Sequence, residues 1–205
     1  MQTKASNPKN SMTKKAVPPL IEAFFEFSHL KQLYRQGWLK RGVPPERCES
    51  VAEHSLGVAI LALWLSRTCF PELDITKVLC MALLHDFGEI YTGDLIPSDA
   101  VSADEKHLRE KQSIQQVLGK LPQGEHYLDI WEEFEQGETL EAQFIHQIDR
   151  LEMGFQAGIY GLQGLIDPQE FFQTTDQALF DPRLKVLFTE LLDIIGTSKK
   201  EPENR

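Results

Sequence analysis

The chain has 205 residues, of which 41% are apolar and 25% are charged, ordinary proportions for one soluble globular domain. The formal net charge of −10 argues against a general nucleic-acid-binding protein, which would carry a basic patch or stripe. The three cysteines are odd in number and lack CxxC spacing, so we expect neither a disulfide framework nor a structural zinc site. Unpaired cysteines are typical of a reducing compartment, so we expect a cytoplasmic location.

The two ends of the chain read differently from its middle. Residues 1–17 contain lysines but no signal-peptide core, and they predict a flexible arm. Residues 197–205 predict a flexible tail, which leaves residues 18–196 as a single domain. No uncharged apolar stretch reaches about 18 residues, so no membrane-spanning helix is expected.

Helical periodicity runs through the first half of this domain. Apolar residues recur at helical spacing over 20–34, from Leu20 and Phe24 onward, and predict one buried face. Residues 35–50 contain glycines and prolines and predict a connection. Residues 51–70 predict a strong helix, with Ser50 as its cap and Glu53 three places later in a capping-box pattern.

The second half continues in the same way. Residues 74–85 predict a helix, and residues 91–103, with Gly93 and Pro97, predict a loop. Charged helices are predicted at 104–118 and 125–136, a long helix at 139–160, and shorter helices at 168–178 and 181–195. Because there is no convincing strand pair and no repeat, the predicted fold class is an all-α bundle.

Titratable residues stand where this pattern predicts buried core. The stretch 83–95 reads LLHDFGEIYTGDL, so an apolar helix leads directly into His85 and Asp86. Buried charge is costly unless it is paired or bound to a metal. His54 ends an apolar stripe, and Asp149 lies beside the apolar face of its long helix. Each residue alone is also typical of a core histidine or an ion-paired aspartate, but together the four suit a divalent metal.

The order H…HD…D resembles the HD-domain superfamily of metal-dependent phosphohydrolases. The resemblance is closer to its HD domain-containing protein 2 and bacterial 5′-deoxynucleotidase branch. The matching stretches are GWLKRGV, CESVAEHS, LLHDFGEIYTGDL, EKHLREKQSI and IWEEFEQGETLEAQFIHQIDRLEM, which span most of residues 20–160. This resemblance implies an HD-domain helical bundle that releases phosphate from deoxynucleoside 5′-monophosphates.

The resemblance also implies roles for individual residues. One divalent ion (Co, Mn, Mg, Ni, Fe or Zn) would be held by His54, His85, Asp86 and Asp149. Glu89 would handle protons, and Asp94 would act in catalysis and line the substrate pocket. Gly37 stands where the bacterial pattern has a phosphate-orienting arginine, so we expect Arg41 or Lys40 to supply that charge. The other substrate-binding residues implied are Trp38, Leu95, Ile96 and Pro97.

Two other readings stay open at this stage. A non-catalytic regulatory module that binds nucleotide is favoured by Gly37, although the complete ligand set with Glu89 argues for catalysis. A di-iron oxygenase would need further ligands such as His126 or His146, but their spacing relative to His85 does not indicate it, so one metal is expected. The expected partners are a small nucleoside monophosphate and, from the resemblance, a second copy in a homodimer, with no nucleic-acid polymer and no membrane.

Overall fold

The computed structural model describes residues 1–13, 16–96 and 99–198, with side chains described as far as residue 196. In these ranges the regular structure is helical, and the β contacts are two isolated bridges, Thr3 with Leu33 and Tyr34 with Ser50. The prediction of an all-α helical fold is therefore confirmed. None of the described helices is long and apolar enough to cross a membrane.

A short 3-10 helix, Pro8–Ser11, precedes ten α-helices in the described part of the chain. The α-helices are α1 (Pro19–Phe27), α2 (Gln36–Lys40), α3 (Val51–Cys69), α4 (Ile75–Leu84), α5 (Glu89–Thr92), α6 (Ala103–Leu118), α7 (Gly124–Gln136), α8 (Leu140–Leu162), α9 (Gln169–Ala178) and α10 (Pro182–Ser198).

Three of these helices form the centre of the bundle. α3 packs against both α4 and α8, and α4 also packs against α8. Their facing side chains include Val58, Met81 and Ile148, which are fully buried. Because His54, His85 and Asp149 lie on or at the end of these same helices, the packing of the core also brings the candidate ligands towards one another.

The capping box predicted for α3 is present. The Ser50 hydroxyl accepts a hydrogen bond from the Glu53 backbone N–H at 3.3 Å, and the Glu53 carboxylate accepts one from the Ser50 N–H at 2.7 Å. These two bonds satisfy donors that would otherwise lack partners at the helix start. They fix the first turn of α3, which contains His54.

The Ser50→Ala variant should unfold more easily than the wild type. Loss of an N-cap hydroxyl typically costs about 1 kcal/mol of folding free energy, in a range of about 0.5–2 kcal/mol. Urea denaturation measures this difference. Glu53→Gln is the matched control, because glutamine still offers an oxygen to the Ser50 N–H, and its loss should be smaller. Equal losses in both variants would contradict a dominant role for the hydroxyl.

The helix predicted over 20–34 ends earlier than its periodicity indicates. α1 ends at Phe27, and successive turns follow. The carbonyls of Leu33 and Leu30 accept hydrogen bonds from the N–H groups of Val51 and Ala52 at 2.9 and 3.2 Å. These carbonyls therefore serve the start of α3 and do not continue α1. The connection predicted over 35–50 also contains one short helix, α2.

The buried face of α1 also differs from the prediction. Leu20 and Phe24 are exposed, whereas Ala23 and Glu26 are buried. The Glu26 carboxylate is ion-paired with Lys9 and with Lys120, which compensates its burial. Partners distant in the sequence thus decide which side of this helix faces inward.

The described N-terminal residues contact the domain. Besides the Thr3 bridge, the Lys4 N–H donates to the Gln32 carbonyl at 2.7 Å. The Lys9 ammonium lies 2.5 Å from the Glu26 carboxylate. The flexibility of residues 1–17 stays a prediction, as does the single-domain boundary at 18–196. Most of the predicted tail, 199–205, lies outside the described residues.

Candidate active site

Side chains from three parts of the bundle meet in one buried cluster. One ring nitrogen of His54, one ring nitrogen of His85 and a carboxylate oxygen of Asp149 all lie within 4.8 Å of one another. Oδ2 of Asp86 lies 3.3 Å from Nε2 of His85 and 3.8 Å from Nε2 of His54. The structure thus brings together all four residues that the sequence singled out as metal ligands.

The hydrogen bonds of the two imidazoles define which nitrogen faces the cluster. Nδ1 of His54 lies 2.6 Å from the Glu152 carboxylate, and Nδ1 of His85 lies 2.8 Å from the Ala82 carbonyl. Both partners are acceptors, so each Nδ1 is the donor. The Nε2 atoms, together with Oδ2 of Asp86, are buried without a hydrogen-bond partner.

This donor set fits a divalent cation. Buried polar atoms are nearly always satisfied, so three unpartnered ones in a single cluster need an explanation. Imidazole nitrogens with the proton held at Nδ1, combined with carboxylates, are a common ligand set for divalent transition metals. His54, His85, Asp86 and Asp149 would hold the ion, and its charge would satisfy the unpartnered atoms.

The electrostatics of the cluster favour positive charge. Burial and the Arg35 charge lower the pKa of His54, but the carboxylates of Asp149 and Glu152 outweigh them and raise it to about 10. Although burial opposes it, the neighbouring histidines hold the pKa values of Asp86 and Asp149 well below the usual range. A proton and a metal ion compete for the same ligand atoms, so we expect metal binding to release protons.

Arg35 is a site residue that the sequence reasoning missed. Its Nη1 lies 3.5 Å from Oδ2 of Asp86 and 3.3 Å from Oδ1 of Asp94, and its side chain is only 19% exposed. The residue precedes α2 in a stretch that reads as a connection. It places a permanent positive charge beside the cluster, at the position where Arg41 or Lys40 was expected to act.

Glu89 and Asp94 lie close to the same cluster. Glu89 is 3% exposed, and its Oε2 has no hydrogen-bond partner. Burial, with the charges of Asp86 and Asp94 added, raises the pKa of Glu89 well above its usual range. Asp94 follows Gly93, whose φ of 77° is a conformation that few other residues adopt. The turn brings the Asp94 carboxylate to the Gln36 N–H at 2.5 Å.

The other predicted substrate-binding residues differ in their position relative to the cluster. Trp38 is buried between Phe171 and Tyr160, and its indole N–H donates to Glu49 at 2.7 Å. Arg41 is half exposed and pairs with Glu170, so the structure does not bring it into the cluster. Lys40 is ion-paired with Asp99 at 3.3 Å. Leu95 and Ile96 are half-buried directly after Asp94, and Pro97 lies outside the described residues.

The two histidines considered as further metal ligands, His126 and His146, have other contacts. Nε2 of His146 lies 2.8 Å from the Phe134 carbonyl, and the ring of His126 packs on Tyr127. Neither belongs to the group of donor atoms around His54 and His85. The geometry therefore offers no support for these two residues as further ligands.

Glu110 on α6 is a buried carboxyl beside the site, and its titration should affect stability. It is 6% exposed, and burial raises its pKa to about 7 even though Lys106 opposes the shift. Because the pKa of Glu110 is higher in the folded than in the unfolded protein, its protonated carboxyl contributes fully to stability at low pH. That contribution is lost as pH rises from about 4.5 to 7.

We therefore expect Glu110→Gln to be more stable than the wild type at pH 8 and about equally stable at pH 4. Because one pKa unit corresponds to about 1.4 kcal/mol, the gain should be on the order of 1 to 3 kcal/mol. Urea denaturation at both pH values in a chelator measures it. Glu105→Gln, at a half-exposed glutamate of the same helix, is the control. An equal gain in the free energy of unfolding of Glu110→Gln at pH 4 and pH 8 would contradict a raised pKa of Glu110.

The chain is similar to known proteins over most of its length. A family model described as HD domain matches residues 27–179. The chain is 31% identical over 193 residues to 5′-deoxynucleotidase HDDC2 of Bos taurus, which covers 91% of each chain. It is 32% identical over 168 residues to 5′-deoxynucleotidase HDDC2 of Homo sapiens, which covers 79% of each chain.

Solved structures show the same fold. A conserved hypothetical protein from Pyrococcus furiosus has a TM-score of 0.71 and 30% identity, with 84% of this chain and 99% of that chain covered. A predicted metal-dependent phosphohydrolase from Magnetospirillum magnetotacticum has a TM-score of 0.65 and 26% identity, with 88% and 95% covered. The segment 27–179 contains the whole cluster and more than half of the chain, and the chain therefore belongs to the HD domain family.

Proposed function

We propose that the protein is a metal-dependent phosphohydrolase that converts deoxynucleoside 5′-monophosphates into deoxynucleosides and phosphate. The observation that carries the proposal is the buried convergence of His54, His85, Asp86 and Asp149, with unpartnered Nε2 atoms turned inward. The relatives named 5′-deoxynucleotidase support the reaction type, because the chain aligns with them over most of its length.

The chemistry of the substrate explains what the site must supply. A phosphomonoester is a dianion and a weak electrophile, so its hydrolysis depends on positioning and on stabilisation of negative charge. A bound divalent cation would supply positive charge and a more acidic water molecule. The four ligands would hold this cation. We propose that the site binds a single metal ion.

Arg35 is proposed to contact the phosphate. A guanidinium remains charged and offers several N–H groups in a geometry that suits phosphate oxygens. The Asp86 and Asp94 carboxylates lie on its Nη1 side and hold it in place. Asp94 is in turn held by the Gln36 N–H, so its proposed catalytic contribution is to fix Arg35. Leu95 and Ile96, which follow Asp94, are proposed to line the sugar side of the pocket.

Glu89 is proposed to carry the proton transfer. In the hydrolysis the water oxygen forms a bond to phosphorus and gives up a proton, the P–O5′ bond breaks, and the leaving oxygen takes a proton. The proton that Glu89 would donate is thus replaced by the one that the water loses. A carboxyl group with a raised pKa can hold a proton near neutral pH and donate it to a leaving group. The buried position of Glu89 and its unpartnered Oε2 support this role.

A nucleotide panel tests the proposed function. Purified protein loaded in turn with Co, Mn, Mg, Ni, Fe or Zn should release phosphate from dAMP, dGMP or dCMP, and a chelator should stop the reaction. Ribonucleotides in the same panel measure sugar preference. Nucleotide binding in calorimetry without phosphate release under any metal would refute the enzyme and favour the regulatory module.

We also propose that the protein is a homodimer in the cytoplasm. The exposed apolar side chains Leu20 and Phe24 of α1 support self-association, and the three cysteines are unpaired, as expected in a reducing compartment. Light scattering that gives the mass of a monomer would refute the dimer.

A further inference from the structure

Both ring nitrogens of His54 face carboxylates on one side of α8. Asp149 lies 3.0 Å from its Nε2, and Glu152, one helical turn later, lies 2.6 Å from its Nδ1. Residues three apart on a helix share a face, so α8 presents one carboxylate to each ring nitrogen. Asp149 belongs to the ligand set, whereas Glu152 lies on the opposite side of the ring.

Gly57 of α3 makes room for the Glu152 carboxylate. A Cβ atom at this position would lie 2.5 Å from Oε1 and 3.0 Å from Cγ of Glu152. Glycine inside a helix costs about 1 kcal/mol relative to alanine, so a glycine here needs a reason. The close approach of the Glu152 side chain supplies that reason, since Gly57 lies one turn after His54 on the same helix.

The hydrogen bond between His54 and Glu152 is buried. Glu152 is 7% exposed and His54 is 1% exposed. Donor atoms of Glu49, His54 and Glu152 also lie within 4.8 Å of one another, which raises the alternative of a separate cation site. The Nδ1 N–H of His54 donates a hydrogen bond to Glu152, so Nδ1 has no lone pair for a metal ion on that side.

We propose that Glu152 is a positioning residue that acts on the metal through His54. By accepting a hydrogen bond from the Nδ1 N–H, Glu152 fixes the tautomer and the orientation of the ring, so that the Nε2 lone pair would point towards the cation. Carboxylate partners of this kind typically contribute about 10- to 100-fold to metal affinity. The inference rests on the metal dependence in the proposed function, but not on the nucleotide substrate.

Three variants test the inference by metal titration without nucleotide. In calorimetry with Mn²⁺ or Co²⁺, Glu152→Ala should bind the ion about 10- to 100-fold more weakly than the wild type. Glu152→Gln keeps an oxygen acceptor and should recover part of this loss. Gly57→Ala changes neither a ligand nor Glu152 itself, but its added Cβ would displace the Glu152 carboxylate, so it should also weaken binding. The visible spectrum of bound Co²⁺ should change in the same variants.

Two control variants separate this role from general effects. Gly196→Ala alters a helical glycine with nothing within 4 Å of the added Cβ, and Glu190→Gln alters an exposed glutamate of α10. Both should bind metal as the wild type does. If Glu152→Ala fails to fold in circular dichroism, Glu152→Gln and Gly57→Ala decide the question, because neither creates a cavity.

The possible outcomes distinguish this inference from the proposed function. Wild-type affinity and an unchanged Co²⁺ spectrum in folded Glu152→Ala, or in Gly57→Ala and Glu152→Gln together, would overturn the inference. If the wild-type protein binds the ion but hydrolyses no nucleotide, the proposed nucleotidase activity is refuted. The metal titration of the variants would still test the role of Glu152. A wild-type protein that binds no cation would overturn both.

Discussion

The Asp86→Ala variant should lose metal binding and phosphate release together. Oδ2 of Asp86 is a buried oxygen without a hydrogen-bond partner and lies close to both imidazoles, so its removal deletes one of the four proposed ligands. Loss of even an outer partner of a ligand lowers metal affinity by about 10- to 100-fold, so loss of the ligand itself should exceed about 100-fold. Calorimetry with Mn²⁺ and a phosphate-release assay measure the two effects on one sample.

The design must separate metal loss from misfolding. Asp86 also pairs with Arg35, so its removal leaves Asp94 as the Arg35 ion-pair partner among the described residues. Asp86→Asn keeps the shape and should fold where alanine does not. Asp129→Ala, at an exposed aspartate of α7, is the control and should behave as the wild type. Phosphate release at the wild-type rate by a folded Asp86→Ala protein would refute the ligand set.

Substitution of Arg35 should abolish most of the activity while metal binding remains. Arg35→Met removes the positive charge that we propose for the phosphate, and the loss of one preorganised donor in an active site lowers rates by about 10²- to 10³-fold. Arg35→Lys keeps the charge but not the planar group, so its loss should be smaller. The ratio kcat/KM for dAMP measures both variants, and calorimetry should show that Mn²⁺ still binds.

Arg41→Ala is the matched control for this experiment. Arg41 was expected from the sequence to supply the phosphate charge, but it is half exposed and paired with Glu170. Its removal should leave kcat/KM unchanged. Thermal unfolding of the Arg35 variants must accompany the assay, because breaking the buried ion pairs of Arg35 can cost about 3–5 kcal/mol. A rate loss in Arg41→Ala, with wild-type rates in Arg35→Met, would assign the phosphate contact to Arg41.

The convergence of the four candidate metal ligands was predictable because these residues follow local patterns. His54 stands one turn into a helix whose cap, Ser50 with Glu53, is visible in the sequence, and His85 ends an apolar helix. Asp149 lies within a long amphipathic helix. Periodicity therefore fixed the elements on which these residues lie, and the resemblance indicated which side chains meet.

Arg35 was not predictable in the same way. It precedes a five-residue helix in a segment rich in glycine and proline, and its partner Asp94 lies 59 residues away. No local period marks a charge that is buried by distant partners. Glu152 did carry a signal, because it follows Asp149 by three residues and so shares its helix face. Glu26 on α1 shows the same limit as Arg35, since Lys9 and Lys120 determine its burial.

The backbone bonds from Val51 and Ala52 to Leu33 and Leu30 have a consequence for how the site opens. They join the segment that leads to Arg35 with the first turn of α3, which carries His54. Fraying of that turn would release both sides at once, so the proposed phosphate contact and the proposed metal ligand would belong to one cooperative unit. Amide hydrogen exchange should then report similar protection for these two N–H groups.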